Sequence, residues 1–96
     1  MGIHEILEAK RDPILRIARR HGVGMVRVFG SVARGDARND SDVDFLIDVT
    51  GPTPPWFPGG LVAELEELLN RRVDLVEPDA LNKELRLRVL REAVAL

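Results

Sequence analysis

Apolar residues recur along this chain with helical spacing in some segments and as short continuous or alternating runs in others. Helical spacing predicts helices at 3–7, 13–20, about 31–38, 61–69 and 85–94, with a break at Asp12–Pro13 between the first two. Short apolar runs predict strands at 26–29, 42–49 and 72–76. With the two N-terminal segments counted as one interrupted helix, the order is αβαβαβα. The pattern therefore predicts an α/β fold with a small three-stranded sheet and about four helices.

Length, charge and composition narrow the class of protein. A chain of 96 residues predicts one domain spanning 1–96, with a thin core that a partner or a homo-oligomer would extend. A net charge of −2 argues against direct nucleic-acid binding. The absence of cysteine excludes disulfides and thiol catalysis. No apolar run approaches the roughly 20 residues of a membrane span, and the N-terminus lacks a signal pattern, so we expect a cytoplasmic protein.

The stretch most informative about chemistry joins a Gly-Ser turn, at Gly30–Ser31, to an Asp-x-Asp pair at Asp42 and Asp44. Side chains alternate along a strand, so the two aspartates point the same way. Adjacent carboxylates repel, and one would be driven to protonate unless a cation intervenes. A Gly-Ser turn for phosphate and paired carboxylates for a divalent metal are the parts of a nucleotidyl-transfer site.

Two further residues extend this candidate site. Asp74 lies between Val73 and Leu75 in the third predicted strand, so if those two face the core, Asp74 joins the face of the paired aspartates. Arg34 lies one helical turn after the Gly-Ser dipeptide, where it could contact phosphate or brace the loop that precedes the second strand; we favour the brace slightly. Glycine at position 30 would let backbone approach a phosphate, and the serine hydroxyl could donate to it.

Other polar and aromatic residues have simpler interpretations. Asp48 is in phase with the aspartate pair but roughly 13 Å from Asp44 along the strand, which is too far for one metal cluster. We therefore expect Asp48 to be solvated, and His4 and His21 to be surface or capping residues. Trp56–Phe57, within a proline-rich loop, could cover an edge of the core or form a patch for a partner; the sequence leaves both alternatives open.

The run 30–36 with Ser41, Asp42 and Asp44 resembles the signature of the DNA polymerase beta-like nucleotidyltransferase superfamily, and within it the minimal nucleotidyltransferases (MNT). The resemblance extends over nearly the whole chain and implies the nucleotidyltransferase fold with a mixed sheet. It implies that Asp42, Asp44 and Asp74 hold two Mg²⁺ ions and that Asp74 helps deprotonate the acceptor hydroxyl. Many MNT proteins are antitoxins paired with a HEPN-domain toxin, usually an RNase.

Three functions follow as hypotheses. The first is an antitoxin that transfers AMP from ATP to a hydroxyl, by expectation a tyrosine, of a HEPN toxin. The second is an antitoxin that neutralises the toxin by binding alone. The third is a small-molecule nucleotidyltransferase completed by another subunit. Self-modification on tyrosine is excluded because the chain contains no tyrosine.

Overall fold

The computed structural model describes residues 2–38 and 40–96. The sequence also predicts a turn at Asn39–Asp40, which lies partly outside the described residues. The elements in chain order are α1 (Ile3–Ala9), α2 (Arg11–Arg20), β1 (Val23–Phe29), α3 (Ser31–Arg34), β2 (Val43–Val49), α4 (Gly59–Leu69), β3 (Val73–Val76), a 3₁₀ turn (Pro78–Ala80), α5 (Lys83–Glu92) and β4 (Val94–Ala95). In the described residues no helix combines the length and apolar character needed to cross a bilayer.

The sheet is mixed and has the strand order β3-β2-β1-β4. Strand β1 runs antiparallel to β2 and to β4, whereas β2 and β3 are parallel. A parallel pair needs a crossover connection, and α4 provides it. The predicted α/β class and mixed sheet are confirmed, with four strands where the sequence predicted three.

One face of the sheet carries the hydrophobic core. Helices α1, α2 and α4 supply Ile3, Leu7, Ile14, Ala18, Leu61, Leu65 and Leu69 to this cluster. The sheet supplies Val23, Val26, Val28, Val43, Phe45, Ile47 and Val73. Because neighbouring residues on a strand face opposite sides, the polar residues between these core positions are directed to the other face.

The fourth strand was missed because it is two residues long. The pattern carried the last helix through Ala93 and Val94, but α5 ends at Glu92 and Val94 pairs with Val28 of β1. At the other end of α5, asparagine is a favourable N-cap residue, and the Asn82 side chain caps the helix by accepting a hydrogen bond from the Leu85 amide. A run that short has no measurable period, so its strand identity depends on tertiary pairing.

Other boundaries differ as well, and three of the differences have a clear physical reason or consequence. Helix α2 begins at Arg11 rather than Pro13, because proline is accepted anywhere in the first helical turn, where its missing amide has no helical partner. Strand β1 begins at Val23, three residues earlier than predicted, and contains an irregularity between Val23 and Met25 that interrupts the alternation. Helix α3 ends at Arg34 instead of about residue 38, because Gly35 adopts a left-handed conformation (φ 82°).

Candidate functional site

The three predicted aspartates lie together on the sheet face opposite the core. The parallel register of β2 and β3 pairs Asp44 with Asp74, and residues paired in this way direct their side chains to the same side. Asp42 precedes β2 by one residue and is in phase with Asp44. Val73 is buried in the core beside Asp74, as the alternation argument required. We call Asp42, Asp44 and Asp74 the carboxylate face.

The electrostatics of the carboxylate face centre on Asp44. Asp42 and Asp74 are exposed, whereas Asp44 is half-buried. Burial, followed by the charges of Asp74, Asp42 and Glu92, raises the pKa of Asp44, and Arg34 opposes that rise. The charges of Asp74 and Asp42 therefore act on Asp44, and Arg34 compensates them only in part.

Gly30 lies directly beneath the Asp44 carboxylate. Residue 29 pairs with Asp44 in the antiparallel β1–β2 ladder, which brings the end of β1 to this position. Gly30 has φ 73° and ψ −148°, a conformation that residues with a Cβ rarely adopt. A Cβ at this position would also collide with Oδ2 of Asp44. Both the backbone conformation and the lack of space require glycine next to the carboxylate face.

Ser31 opens α3, which is one turn long, so unpaired first-turn amides rather than a helix dipole would be its contribution to anion binding. Ser31 is half-buried beside Gly30. The structure thus brings the predicted phosphate-binding residues Gly30 and Ser31 next to Asp44, and their role remains a prediction. The sequence predicts that Ser41 caps or orients the approach to Asp42, and its hydroxyl accepts a hydrogen bond at 2.7 Å from the Arg38 amide.

Arg34 contacts two carboxylates. Its Nη1 donates to Glu92 Oε1 at 3.1 Å, and its Nε donates to Asp36 Oδ2 at 3.4 Å. Asp36, foremost, and Glu92 raise the pKa of the guanidinium. Asp36 lies in the connection between α3 and β2, so the brace alternative has a contact to support it. A contact between Arg34 and phosphate remains a prediction.

The donor chemistry of the carboxylate face suits a hard divalent cation. Mg²⁺ prefers oxygen ligands and commonly uses one or two carboxylates together with substrate phosphates and waters. Within 2–38 and 40–96, no three acidic or histidine side chains converge closely enough to enclose an ion by themselves. The negative charge around Asp44, which Arg34 offsets only in part, and the glycine backbone beside it fit a metal that shares its coordination with a nucleotide.

Glu92 belongs to this site and was missed by sequence reasoning. Its Oε1 accepts a 2.6 Å hydrogen bond from the Gly30 amide as well as the Arg34 contact. Glu92 is 62 residues from Gly30 in sequence, so no local pattern links them. The available signal was a carboxylate at the C-terminal end of a helix, where negative charge is unfavourable without a tertiary partner.

A second charged group lies at the other end of β1. Of the two expected roles, His21 has the capping one, as the C-cap of α2, and it is buried rather than on the surface. Its Nε2 forms a hydrogen bond with Glu64 Oε2. Arg20 Nη2 also contacts Glu64, at 3.3 Å. Among the described residues, the His21 Nδ1 has no hydrogen-bond partner. We call Arg20, His21 and Glu64 the His21 cluster.

The two alternatives for Trp56–Phe57 divide between the residues. Phe57 packs against the core, whereas Trp56 is 65% exposed. Trp56 and the His21 cluster line an open groove of about 410 Å³. Asp48, expected to be solvated, instead forms an ion pair with Arg27 at 3.3 Å, and both side chains are partly exposed.

Comparisons with known proteins agree with this site and fold. The family model "Nucleotidyltransferase domain" matches residues 12–96. Protein adenylyltransferase MntA of Thermococcus cleftensis is 40% identical over 92 residues, which cover 96% of this chain and 90% of the relative. The chain therefore belongs to the nucleotidyltransferase domain family and, within it, to the minimal nucleotidyltransferases.

Two solved structures share the fold. One, described as a "putative minimal nucleotidyltransferase", has a TM-score of 0.84 at 46% identity and covers 99% of this chain and 100% of its own. The other, a crystal structure of a toxin–antitoxin with AMP-PNP, has a TM-score of 0.72 at 21% identity. That likeness covers 88% of this chain and 69% of the other and concerns the fold alone.

Proposed function

We propose that this protein is an antitoxin that transfers AMP from ATP to a hydroxyl of a partner toxin in a Mg²⁺-dependent reaction. The observation that carries the proposal is the pairing of Asp44 with Asp74 beside the glycine turn at Gly30. The name of the Thermococcus relative, protein adenylyltransferase, supports the reaction type. The toxin–antitoxin structure with AMP-PNP supports the biological setting. We further propose a HEPN-domain toxin as the partner.

Each residue has a role in the proposed reaction. Two Mg²⁺ ions would supply charge neutralisation and alignment of the attacking and leaving oxygens. Asp42 and Asp44 would hold both ions, and Asp74 would hold one and accept the proton of the attacking hydroxyl. The hydroxyl oxygen forms a bond to the α-phosphorus of ATP as the bond to pyrophosphate breaks. Gly30 and Ser31 would bind the β- and γ-phosphates.

The acceptor is proposed to be a macromolecule. Asp42 and Asp74 are exposed, so the carboxylate face is open to a large partner rather than enclosed around a small one. The resemblance to the minimal nucleotidyltransferases suggests tyrosine as the acceptor, and because this chain contains no tyrosine, that residue would belong to the partner. The tyrosine side chain is long enough for its phenolic hydroxyl to reach the exposed carboxylate face without deep insertion of the partner's backbone.

The test is transfer of label from α-³²P-ATP with Mg²⁺ to a co-expressed HEPN toxin, followed by mapping of the modified residue. We expect label on a toxin tyrosine, loss of transfer with EDTA, and a decrease of about 100-fold or more in Asp42→Asn/Asp44→Asn. Asp48→Asn is the matched control, because Asp48 lies on the same strand and face but pairs with Arg27.

Three results would contradict the proposal. Full transfer by the double variant would refute the metal assignment. If the double variant still neutralised the toxin, and the wild-type protein transferred no label to the toxin, the protein would be an antitoxin that acts by binding. Label on a small molecule such as an aminoglycoside, with none on protein, would identify the third class of function.

A further inference from the structure

Glu92 joins the end of α5 to the turn that begins the candidate phosphate site. The Gly30 amide and Arg34 Nη1 both donate to the same oxygen, Glu92 Oε1, at 2.6 and 3.1 Å. The Glu92 side chain is 21% exposed and its hydrogen bond with the Gly30 amide is partly buried, whereas its contact with Arg34 is exposed. Hydrogen bonds to an ionised acceptor are shorter and stronger than neutral ones, and shielding strengthens them further.

The contact acts on a backbone that needs support. Gly30 has a positive φ, and glycine is conformationally the freest residue, so the turn has alternatives that a larger residue would lack. Asp44 occupies the space above Gly30, so a change in the turn would alter the distance between the amides and the carboxylate face. A fixed acceptor on the Gly30 amide removes that freedom.

The same carboxylate orients Arg34. The guanidinium is held between Glu92, at 3.1 Å, and Asp36, at 3.4 Å. Arg34 already acts electrostatically on Asp44, which indicates that its positive charge reaches the site. One side chain from α5 thus fixes both the glycine turn and the nearest cation.

We propose that Glu92 is a positioning residue that holds the Gly30 turn and Arg34 in the arrangement that binds the phosphates of ATP. This role depends on the proposed nucleotide binding. The opposite role would be a latch, in which the carboxylate occupies the anion position and ATP must displace it. The positioning role of Glu92 is favoured over the latch because β4 directly follows α5 and pairs with β1, so the end of α5 cannot move away freely.

The two roles predict opposite changes in affinity. In Glu92→Ala the acceptor is lost, and we expect the Kd for Mg²⁺–AMP-PNP, measured by calorimetry, to increase about tenfold or more. Glu92→Gln keeps an oxygen acceptor for the Gly30 amide and should restore binding to within about threefold of wild type. Glu84→Ala removes an exposed carboxylate from the first turn of the same helix and should leave the Kd unchanged.

A second measurement separates failure of this inference from failure of the proposed function. Hydrogen exchange of the Gly30 amide in the ligand-free protein should accelerate in Glu92→Ala and remain protected in Glu92→Gln. Tighter nucleotide binding in both variants would establish a latch and overturn the positioning role. An unchanged Kd in Glu92→Ala would also overturn the positioning role. If wild-type protein bound no nucleotide, the proposed function would fail, and unchanged exchange of the Gly30 amide in Glu92→Ala would overturn the positioning role as well.

Discussion

The carboxylate face and the His21 cluster lie at opposite ends of β1, and the pKa of an acidic group is shifted in opposite directions at the two sites. At the His21 cluster, the hydrogen bond from His21 and the charge of Arg20 lower the pKa of Glu64. At the carboxylate face, burial and two neighbouring carboxylates raise the pKa of Asp44. The first acid is stabilised in its charged form by the protein, and the second is not.

This difference in pKa distinguishes a structural ion pair from a candidate site for a cationic ligand. A compensated acid stabilises the fold, so its retention needs no further function. An uncompensated group of acids reduces stability in the absence of a cation, and perturbed groups of this kind are concentrated at functional sites. The comparison predicts that substitutions at the two ends of β1 should separate stability from activity.

Among the substitutions that test this comparison, the largest effect is expected from Gly30→Ala, with Gly35→Ala as its control. Both glycines have positive φ (73° and 82°), but Gly35 lies in the left-handed helical region, which costs a residue with a Cβ about 1–2 kcal/mol, whereas Gly30, with ψ −148°, lies in a region almost confined to glycine and has the larger backbone penalty. A Cβ at Gly30 meets the Asp44 carboxylate, whereas a Cβ at Gly35 meets no atom within 4 Å. Gly30→Ala should therefore reduce AMP transfer by about 10- to 100-fold beyond any loss in Gly35→Ala.

Transfer assays below the unfolding temperature, combined with urea denaturation, distinguish the two effects. Equal loss of transfer in the two variants would mean that backbone strain alone is responsible. In that case the space between Gly30 and the carboxylate face would have no special importance, and the contrast between the ends of β1 would weaken.

A smaller effect is expected from Glu64→Ala, which tests the compensated end. The substitution removes the partner of the buried His21 Nε2, and an unsatisfied buried polar group costs about 1–3 kcal/mol. Glu67→Ala, at an exposed position of α4, should change the free energy of unfolding by less than about 0.5 kcal/mol. Urea denaturation measures both, and AMP transfer at low temperature should be preserved. A Glu64→Ala protein as stable as Glu67→Ala would contradict the assigned role of the cluster.

The same contrast between the two sites shows which features of the protein could be predicted from the sequence. The Gly-Ser turn and the aspartate pair are local, and the phase of Asp74 relative to Val73 follows from strand alternation, so both could be predicted. The contacts of Glu92 with Gly30 and of His21 with Glu64 join residues far apart in sequence. Such contacts depend on how α5 and α4 pack, which periodicity does not specify. Strand β4 was missed for the same reason.

The smallest effect is the pH dependence of stability, measured in magnesium-free buffer. Because the folded-state pKa of Glu64 is lowered, its contribution to stability is complete above its unfolded pKa of about 4.5 and is lost as pH falls through the folded value. The deficit of Glu64→Ala relative to wild type should therefore shrink between pH 6 and pH 3. The folded-state pKa of Asp44 is raised, so its ionisation destabilises the protein as pH rises through that value. The stability of Asp44→Asn relative to wild type should consequently increase from pH 4 to pH 7. If the stabilities of Glu64→Ala and Asp44→Asn relative to wild type changed with pH in the same direction, the electrostatic contrast between the two ends of β1 would be contradicted.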